Sequence, residues 1–203
     1  MTHKDIIKLN LGNGPSGIGG WLNYDWGVLP ILSKLPLIRK IFVIFGFIDN
    51  NYDISWPKIR LVNILHKLPL GSESVNYIYC SHVLEHFEKY QAINILNECY
   101  RVLKKGGVMR IVLPDLKKLV AQYNNAEEFN RKFFGYDKDK KSLFNYFIRG
   151  HRWMYDEKSI VGLLVNIFDK INIVSWQSGA CPNIRALDLK SHKDHSLYIE
   201  VKK

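Results

Sequence analysis

The stretch IIKLNLGNGPSG at residues 6–17 decides the fold, because an apolar run ends abruptly in a glycine-rich loop. Residues 6–11 have the length and composition of a buried strand. Gly12 and Gly14 allow the backbone to turn sharply and to approach a ligand closely. A strand that leads into such a loop is typical of ligand-binding α/β folds, although glycine clusters also form plain turns.

The residues after the loop argue against a dinucleotide site. Such a site needs a helix whose N-terminus faces the pyrophosphate. The sequence PSGIGG at residues 15–20 cannot form a stable helix, and the next apolar run begins at Trp21. Parallel strands normally need about a dozen connecting residues. We therefore expect a compressed crossover, which disfavours a nicotinamide or flavin cofactor held by its phosphates.

Strand-like and helix-like patterns alternate along the rest of the chain and predict a mainly parallel sheet with helices on both faces. We expect residues 1–203 to form a single domain. The predicted strands are Trp21–Trp26, Ile59–Ile64, Val75–Ser81, Val108–Leu113, Lys170–Trp176 and Ser196–Val201. The predicted helices are residues 83–104, ending at Gly106-Gly107, part of 115–149, and a helix from an N-cap at Asp156 to about Phe168.

An apolar and basic segment interrupts this alternation and predicts a helical insertion at about 27–58. Its sequence at residues 28–48, VLPILSKLPLIRKIFVIFGFI, is long enough to span a membrane. Lys34, Arg39 and Lys40 lie in its middle and two prolines interrupt it, so spanning is disfavoured. Three roles stay open: an interfacial helix on an anionic surface or membrane, a lid over the active site, or a contact that forms a homodimer.

The charge of the chain favours an anionic partner. Lysine and arginine outnumber aspartate and glutamate by 29 to 19, a net charge of +10. A nucleic acid, a membrane surface or a phosphorylated substrate fits this charge, and so does a merely soluble basic surface. The basic run at 131–141 is interrupted by Phe133, Phe134 and Tyr136, which favours an amphipathic helix over a base-stacking surface. Nucleic acid is therefore disfavoured as a partner, but stays open.

The cysteines and the N-terminus bear on the cellular location. Cys80, Cys99 and Cys181 are widely spaced, which predicts buried, reduced thiols. Residues 1–10 lack an apolar signal core. We expect a cytoplasmic protein, with peripheral membrane contact through residues 28–48 left open.

Two polar residues close predicted strands, where ligands of α/β sheets bind. Asp25 ends the second strand, and an acid at that position can accept hydrogen bonds from two ribose hydroxyls. Asn63 lies at the end of the third, where its amide can bind an adenine edge or cap a turn.

Several blocks in a fixed order resemble the motifs of small type 11 methyltransferases, within residues 7–26, 59–118 and 150–201. The order and spacing of the blocks are more specific than any one motif. They are LNLGNG at 9–14, GWLNYD at 20–25, SVNYIYCSHVLEHF at 74–87, RVLKKGG at 101–107, IVLPD at 111–115 and HRWMYD at 151–156.

This resemblance implies a Rossmann-like class I fold: seven mostly parallel strands with the last antiparallel. It also implies S-adenosyl-L-methionine (SAM) as cofactor, which has no pyrophosphate and does not need the missing helix. The resemblance places SAM at Leu11, Gly12, Asn13, Gly14, Asp25, Asn63, Ile64, Ser81 and His82. Asn63 stands where aspartate is more usual. Some similar proteins are encoded among genes for surface polysaccharides, which suggests a sugar or another small molecule as methyl acceptor.

Methyl transfer makes modest demands on the protein, because the sulfonium of SAM is already activated. The acceptor must be aligned and water excluded. A general base helps if the acceptor is a hydroxyl. His82, His86 and His151 are the candidates, since histidine titrates near neutral pH; packing or capping is the alternative role for His151.

Residues 82–86 also spell H-x-x-E-H, a pattern of one class of zinc proteases. On a helix, His82 and His86 would share a face and bind one metal ion. His82 directly follows a predicted strand, and the sequence offers no compelling third ligand. We therefore predict no metal site. A zinc hydrolase and a non-catalytic SAM-binding scaffold remain as alternatives to the methyltransferase.

Overall fold

The computed structural model describes residues 6–48, 50–135 and 150–203, which include a seven-stranded sheet of order β3-β2-β1-β4-β5-β7-β6. The final strand pairs antiparallel with both of its neighbours, and the remaining pairs are parallel. This confirms the predicted fold class. The strands are β1 Lys8–Leu11, β2 Leu22–Asp25, β3 Arg60–Leu61, β4 Val75–Ser81, β5 Leu103–Pro114, β6 Lys170–Val174 and β7 Ser196–Lys202.

Seven α-helices lie within the described residues. They are α1 Val28–Ser33, α2 Pro36–Ile44, α3 Lys89–Val102, α4 Leu116–Ala121, α5 Ala126–Phe134, α6 Glu157–Leu164 and α7 Ile184–Leu187. Asp156 caps α6 as predicted, because its carboxylate accepts a hydrogen bond from the backbone N–H of Ser159 at 2.8 Å. The second half of the basic run at 131–141, from residue 136 and including Lys138, Lys140 and Lys141, lies outside the described residues.

Several predicted boundaries were wrong. The helix predicted from residue 83 begins at Lys89, where Glu88 and Gln91 form a capping box after a 3₁₀ turn at Leu84–His86. It ends at Val102 without a glycine cap, since β5 starts at Leu103 and contains Gly106 at φ +73°. The third strand shrinks to two residues because it forms the edge of the sheet and pairs only with the end of β2.

Alternating residues of β4 and β5 supply two hydrophobic cores, one on each face of the sheet. Ile78 and Ile111 enter the larger core, which α3 and α6 cover. Tyr79 and Val112 enter the smaller one, which Trp21 and α7 cover. Helices therefore cover both faces unequally, because the compressed β1–β2 crossover contains only a 3₁₀ turn, Gly14–Ser16.

The smaller face contains a buried charged network centred on Arg110 of β5. Its side chain is fully buried and forms a two-pronged contact with Asp188, Nη2 to Oδ2 at 2.5 Å and Nε to Oδ1 at 3.0 Å. Nη1 lies 3.2 Å from Glu200 Oε1 in β7. The two remaining bonds go to the backbone carbonyls of Ser175 and Ser178. Arg110 thus holds the 175–188 segment on the sheet.

The structure agrees with the sequence-based predictions for the insertion and for the cysteines. Helices α1 and α2 form within the predicted insertion. Over the described part of the chain, no helix combines the length and the apolar character needed to cross a bilayer. Cys80, Cys99 and Cys181 are free and buried, which confirms the predicted reduced thiols.

We expect Arg110→Met to lower the free energy of unfolding by about 3–5 kcal/mol, because it leaves two buried carboxylates without their cation. Urea denaturation followed by circular dichroism measures this. The matched control is Arg131→Met, which removes an exposed arginine paired with Glu127 at 3.3 Å. That change should cost about 0.5 kcal/mol or less. Equal stability of the two variants would contradict the role given to Arg110.

Candidate active site

The ends of three parallel strands bring the predicted polar residues to one edge of the sheet. Leu11 of β1 pairs with Tyr24 of β2 on one side and with Cys80 of β4 on the other. The residues that follow these positions are Gly12, Asp25 and Ser81, so they emerge side by side. Ligands of open α/β sheets bind at such carboxyl edges.

The glycine loop is held in a conformation that other residues would not adopt. Gly12 has φ +62°, and a Cβ there would collide with the Val83 side chain. Gly14, at φ +49°, donates its N–H to Asp25 Oδ2 at 2.7 Å. The loop and the end of β2 therefore form one rigid corner.

Asp25 lies at this corner with both carboxylate oxygens in use as acceptors. Oδ1 accepts a second hydrogen bond, from the Trp26 N–H at 2.7 Å. Burial raises the pKa of Asp25 above its usual value, while these two backbone bonds oppose the shift. A carboxylate oxygen has more than one lone pair, so each can also accept a hydroxyl.

A cavity of about 760 Å³ opens along this edge. It is lined by all the predicted site residues except Leu11: Gly12, Asn13, Gly14, Asp25, Asn63, Ile64, Ser81, His82, His86 and His151. Leu11 belongs to β1, and its side chain is fully buried in the larger core, so it is not among the residues that line the cavity.

The insertion supplies a wall of the cavity that the sequence did not predict residue by residue. The start of α1, Val28–Pro30, lines the cavity together with Trp26, Tyr52 and Trp56. On the other side Leu187, Leu189 and His192 line it. Tyr79 fixes Leu187, because its hydroxyl donates to the Leu187 carbonyl at 2.9 Å. The density of aromatic residues in 45–56 was the available sign of the first wall.

His82 lies at the strand end, as its position after β4 predicted. Its backbone has φ +53°, and its Nε2 is 3.0 Å from Ser196 Oγ. The His192 ring lies close to it, with ring centroids 3.8 Å apart. Burial lowers the pKa of His82 to about 4, so the ring is neutral at neutral pH.

The other two predicted histidines meet from distant parts of the chain. The rings of His86 and His151 have centroids 5.1 Å apart. His151 Nδ1 lies 2.9 Å from the carbonyl oxygen of Phe133, and burial lowers the pKa of His151. His82 and His86 do not share a helical face, since His82 directly follows β4 and only a 3₁₀ turn separates it from α3. The helical arrangement of an H-x-x-E-H zinc site is absent from these residues.

Comparisons with known proteins agree with this geometry. A family model described as "Methyltransferase domain" matches residues 49–111. No curated protein matches the chain.

Solved structures share the fold at low sequence identity. A SAM-dependent methyltransferase from Archaeoglobus fulgidus is 14% identical with a TM-score of 0.54, over 98% of this chain and 87% of that one. A protein from Thermotoga maritima, titled a possible histamine N-methyltransferase, is 13% identical with a TM-score of 0.56, over 98% and 82%. One from Methanosarcina mazei is 14% identical with a TM-score of 0.55, over 98% and 93%.

The structural likeness supports the fold, and the family match supports the activity. Glycine-loop geometry, the acid at the end of β2 and the cavity between them agree with both. The described part of the chain therefore has the fold of SAM-dependent methyltransferases, and residues 49–111 match the methyltransferase-domain model.

Proposed function

We propose that this enzyme methylates a hydroxyl of a small-molecule acceptor, with a saccharide as the best candidate class. The observation that carries the proposal is that one cavity is lined both by Asp25 with the glycine loop and by the imidazoles of His82, His86 and His151. SAM supplies an activated methyl group when bound, so the protein needs to orient the acceptor and exclude water.

Asp25 and the glycine loop fit the nucleoside part of SAM. Gly12 has no room for a side chain and permits close approach of a ligand to the backbone. Asp25 offers acceptor oxygens for two ribose hydroxyls, and Asn63 offers an amide for the adenine edge. Val28, Leu29 and Trp56 add an apolar wall, which suits the flat face of a base.

The three histidines fit a polar acceptor. Neutral imidazoles both donate and accept hydrogen bonds, as sugar hydroxyls do. Ser81 adds a hydroxyl to the lining of the same cavity. The cavity of about 760 Å³ is at the larger end of ordinary ligand sites, about 300–1,000 Å³, which leaves space for an acceptor beside the cofactor.

The activity is tested by the formation of S-adenosylhomocysteine from SAM, with sugar nucleotides and free saccharides offered as acceptors. We expect product only with acceptors that carry a free hydroxyl, and a matched deoxy analogue should be inactive. Turnover of an amine acceptor or of RNA, with no saccharide accepted, would contradict the proposed acceptor class. RNA as acceptor would also show binding that weakens steeply with salt.

We expect Asp25→Ala to weaken SAM binding by about 1–3 kcal/mol, because the ribose loses charge-assisted hydrogen bonds. Isothermal titration of wild type and variant with SAM measures the difference. Asp169→Ala, which removes an exposed acid after α6, is the control and should bind SAM as wild type does. Unchanged affinity in Asp25→Ala would remove Asp25 from the site.

We also propose that α2 docks the enzyme on an anionic bilayer. The helix exposes large apolar side chains: Leu37 is 79% exposed, Ile44 70% and the following Phe45 69%. Lys40 is exposed on the same helix, and the chain carries a net charge of +10. Apolar side chains beside cations on a short helix are typical of binding in the membrane interface. Because Val28–Pro30 of α1 line the cavity, docking would bring the cavity close to the membrane.

We expect wild type to sediment with vesicles that contain phosphatidylglycerol and not with pure phosphatidylcholine vesicles. The double variant Leu37→Glu with Ile44→Glu should lose this binding, because it places charges in the interface. Val120→Glu with Val165→Glu changes two exposed residues, one on α4 and one just after α6, and should keep it. Failure of wild type to bind anionic vesicles would contradict docking. Docking would also be contradicted if wild type forms a dimer in sedimentation equilibrium and the double variant Leu37→Glu with Ile44→Glu is a monomer.

A further inference from the structure

We propose that Glu85, His86 and His151 bind a divalent metal ion at the wall of the cavity. One ligand atom from each of these residues lies within 4.8 Å of the others. His86 and His151 line the cavity, and Glu85 lies behind them, fully buried. This inference rests on the proposed function and adds the way in which the acceptor is held.

The side chain of Glu85 is fully buried without a hydrogen bond to either carboxyl oxygen in the described structure. Burying a charge is costly unless it is paired. His82 Nδ1 lies 3.3 Å from Oε1, outside hydrogen-bond geometry. Arg152 donates its backbone N–H to the Glu85 carbonyl, but its guanidinium points to Glu88 at 3.4 Å. No lysine or arginine among the described residues forms an ion pair with Glu85.

The polar atoms around Glu85 lack partners too. His86 Nδ1 and the Tyr155 hydroxyl are buried without a hydrogen bond. Buried polar groups are nearly always hydrogen-bonded, so several orphaned groups around one carboxylate need an explanation. A cation bound by Glu85 and His86 would satisfy the carboxylate and an imidazole together.

His151 is oriented as a metal-binding histidine usually is. Its Nδ1 lies 2.9 Å from the Phe133 carbonyl oxygen, which can only accept, so Nδ1 carries the proton and Nε2 keeps its lone pair. A backbone carbonyl on the far nitrogen is a common second partner of metal-bound histidine. Gly135 leaves space beside Nε2, since a Cβ at that glycine would lie 2.5 Å from it.

Two imidazoles and one carboxylate indicate the kind of ion. This set suits Zn²⁺, Mn²⁺ or Fe²⁺ and leaves coordination positions open. Those positions would lie on the cavity side, where an oxygen of the acceptor could occupy one. The arrangement differs from the H-x-x-E-H pattern, because His151 replaces His82 as the second histidine and comes from 65 positions further along the chain.

The test is direct metal binding to the full chain after treatment with a chelator, by titration with Zn²⁺ and by the electron paramagnetic resonance of Mn²⁺. We expect one bound ion per chain in wild type. Glu85→Gln and His151→Ala should each weaken binding by about tenfold or more, since each removes a ligand. His66→Ala removes an exposed histidine and is the matched control, which should bind as wild type does.

Two outcomes would overturn the site: no ion bound by wild type, or equal binding by His151→Ala and wild type. Circular dichroism shows whether Glu85→Gln is folded. If it is not, the His151→Ala variant tests the site alone, because His151 is only half-buried and its loss should leave the fold intact. SAM titration of the metal-free protein separates this inference from the proposed function. If the protein binds SAM but no added metal ion, the metal site is wrong and the proposed function stands. If it binds neither SAM nor a metal ion, the proposed function is wrong as well.

Discussion

Parallel pairing of β1 with β2 and β4 fixes the position of everything else in the cavity. In this register Leu11 lies between Tyr24 and Cys80, so the chain leaves three neighbouring strands at one edge. Side chains on a parallel sheet cannot slip by one residue without exchanging faces. A shift of β2 by one position would move Asp25 away from the Gly14 N–H and break the corner that both residues form.

The compressed crossover after β1 has consequences for both faces of the sheet. Without a helix between β1 and β2, the smaller face is covered by α7 and the segment that Arg110 holds through Asp188. The same segment supplies Leu187 and His192 to the cavity. The insertion supplies another wall of the cavity through Val28–Pro30, next to the glycine loop. Two parts of the chain that a minimal fold does not need thus complete the cavity.

Sequence reasoning predicted what depends on local pattern and missed what depends on contacts between distant segments. Asp25 and Ser81 could be placed because each ends a strand with a clear apolar run. The resemblance placed Leu11 at the SAM site, and the structure shows that alternation along β1 turns its side chain into the core. The approach of His151 to His86 could not be predicted, because no periodicity relates a loop before α6 to a turn after β4.

The proposed metal site is supported by a comparison of Glu85 with the other buried carboxylates of the molecule. Asp188 and Glu200 share Arg110 and accept further backbone bonds, and Asp115 accepts the Lys117 N–H at 2.9 Å. Each of these acids is satisfied as buried charges normally are. Glu85 is buried as deeply and has no such partner among the described residues. A fold that pairs its other buried carboxylates leaves this one beside two histidines at the cavity wall, which is the chemistry of a cation site.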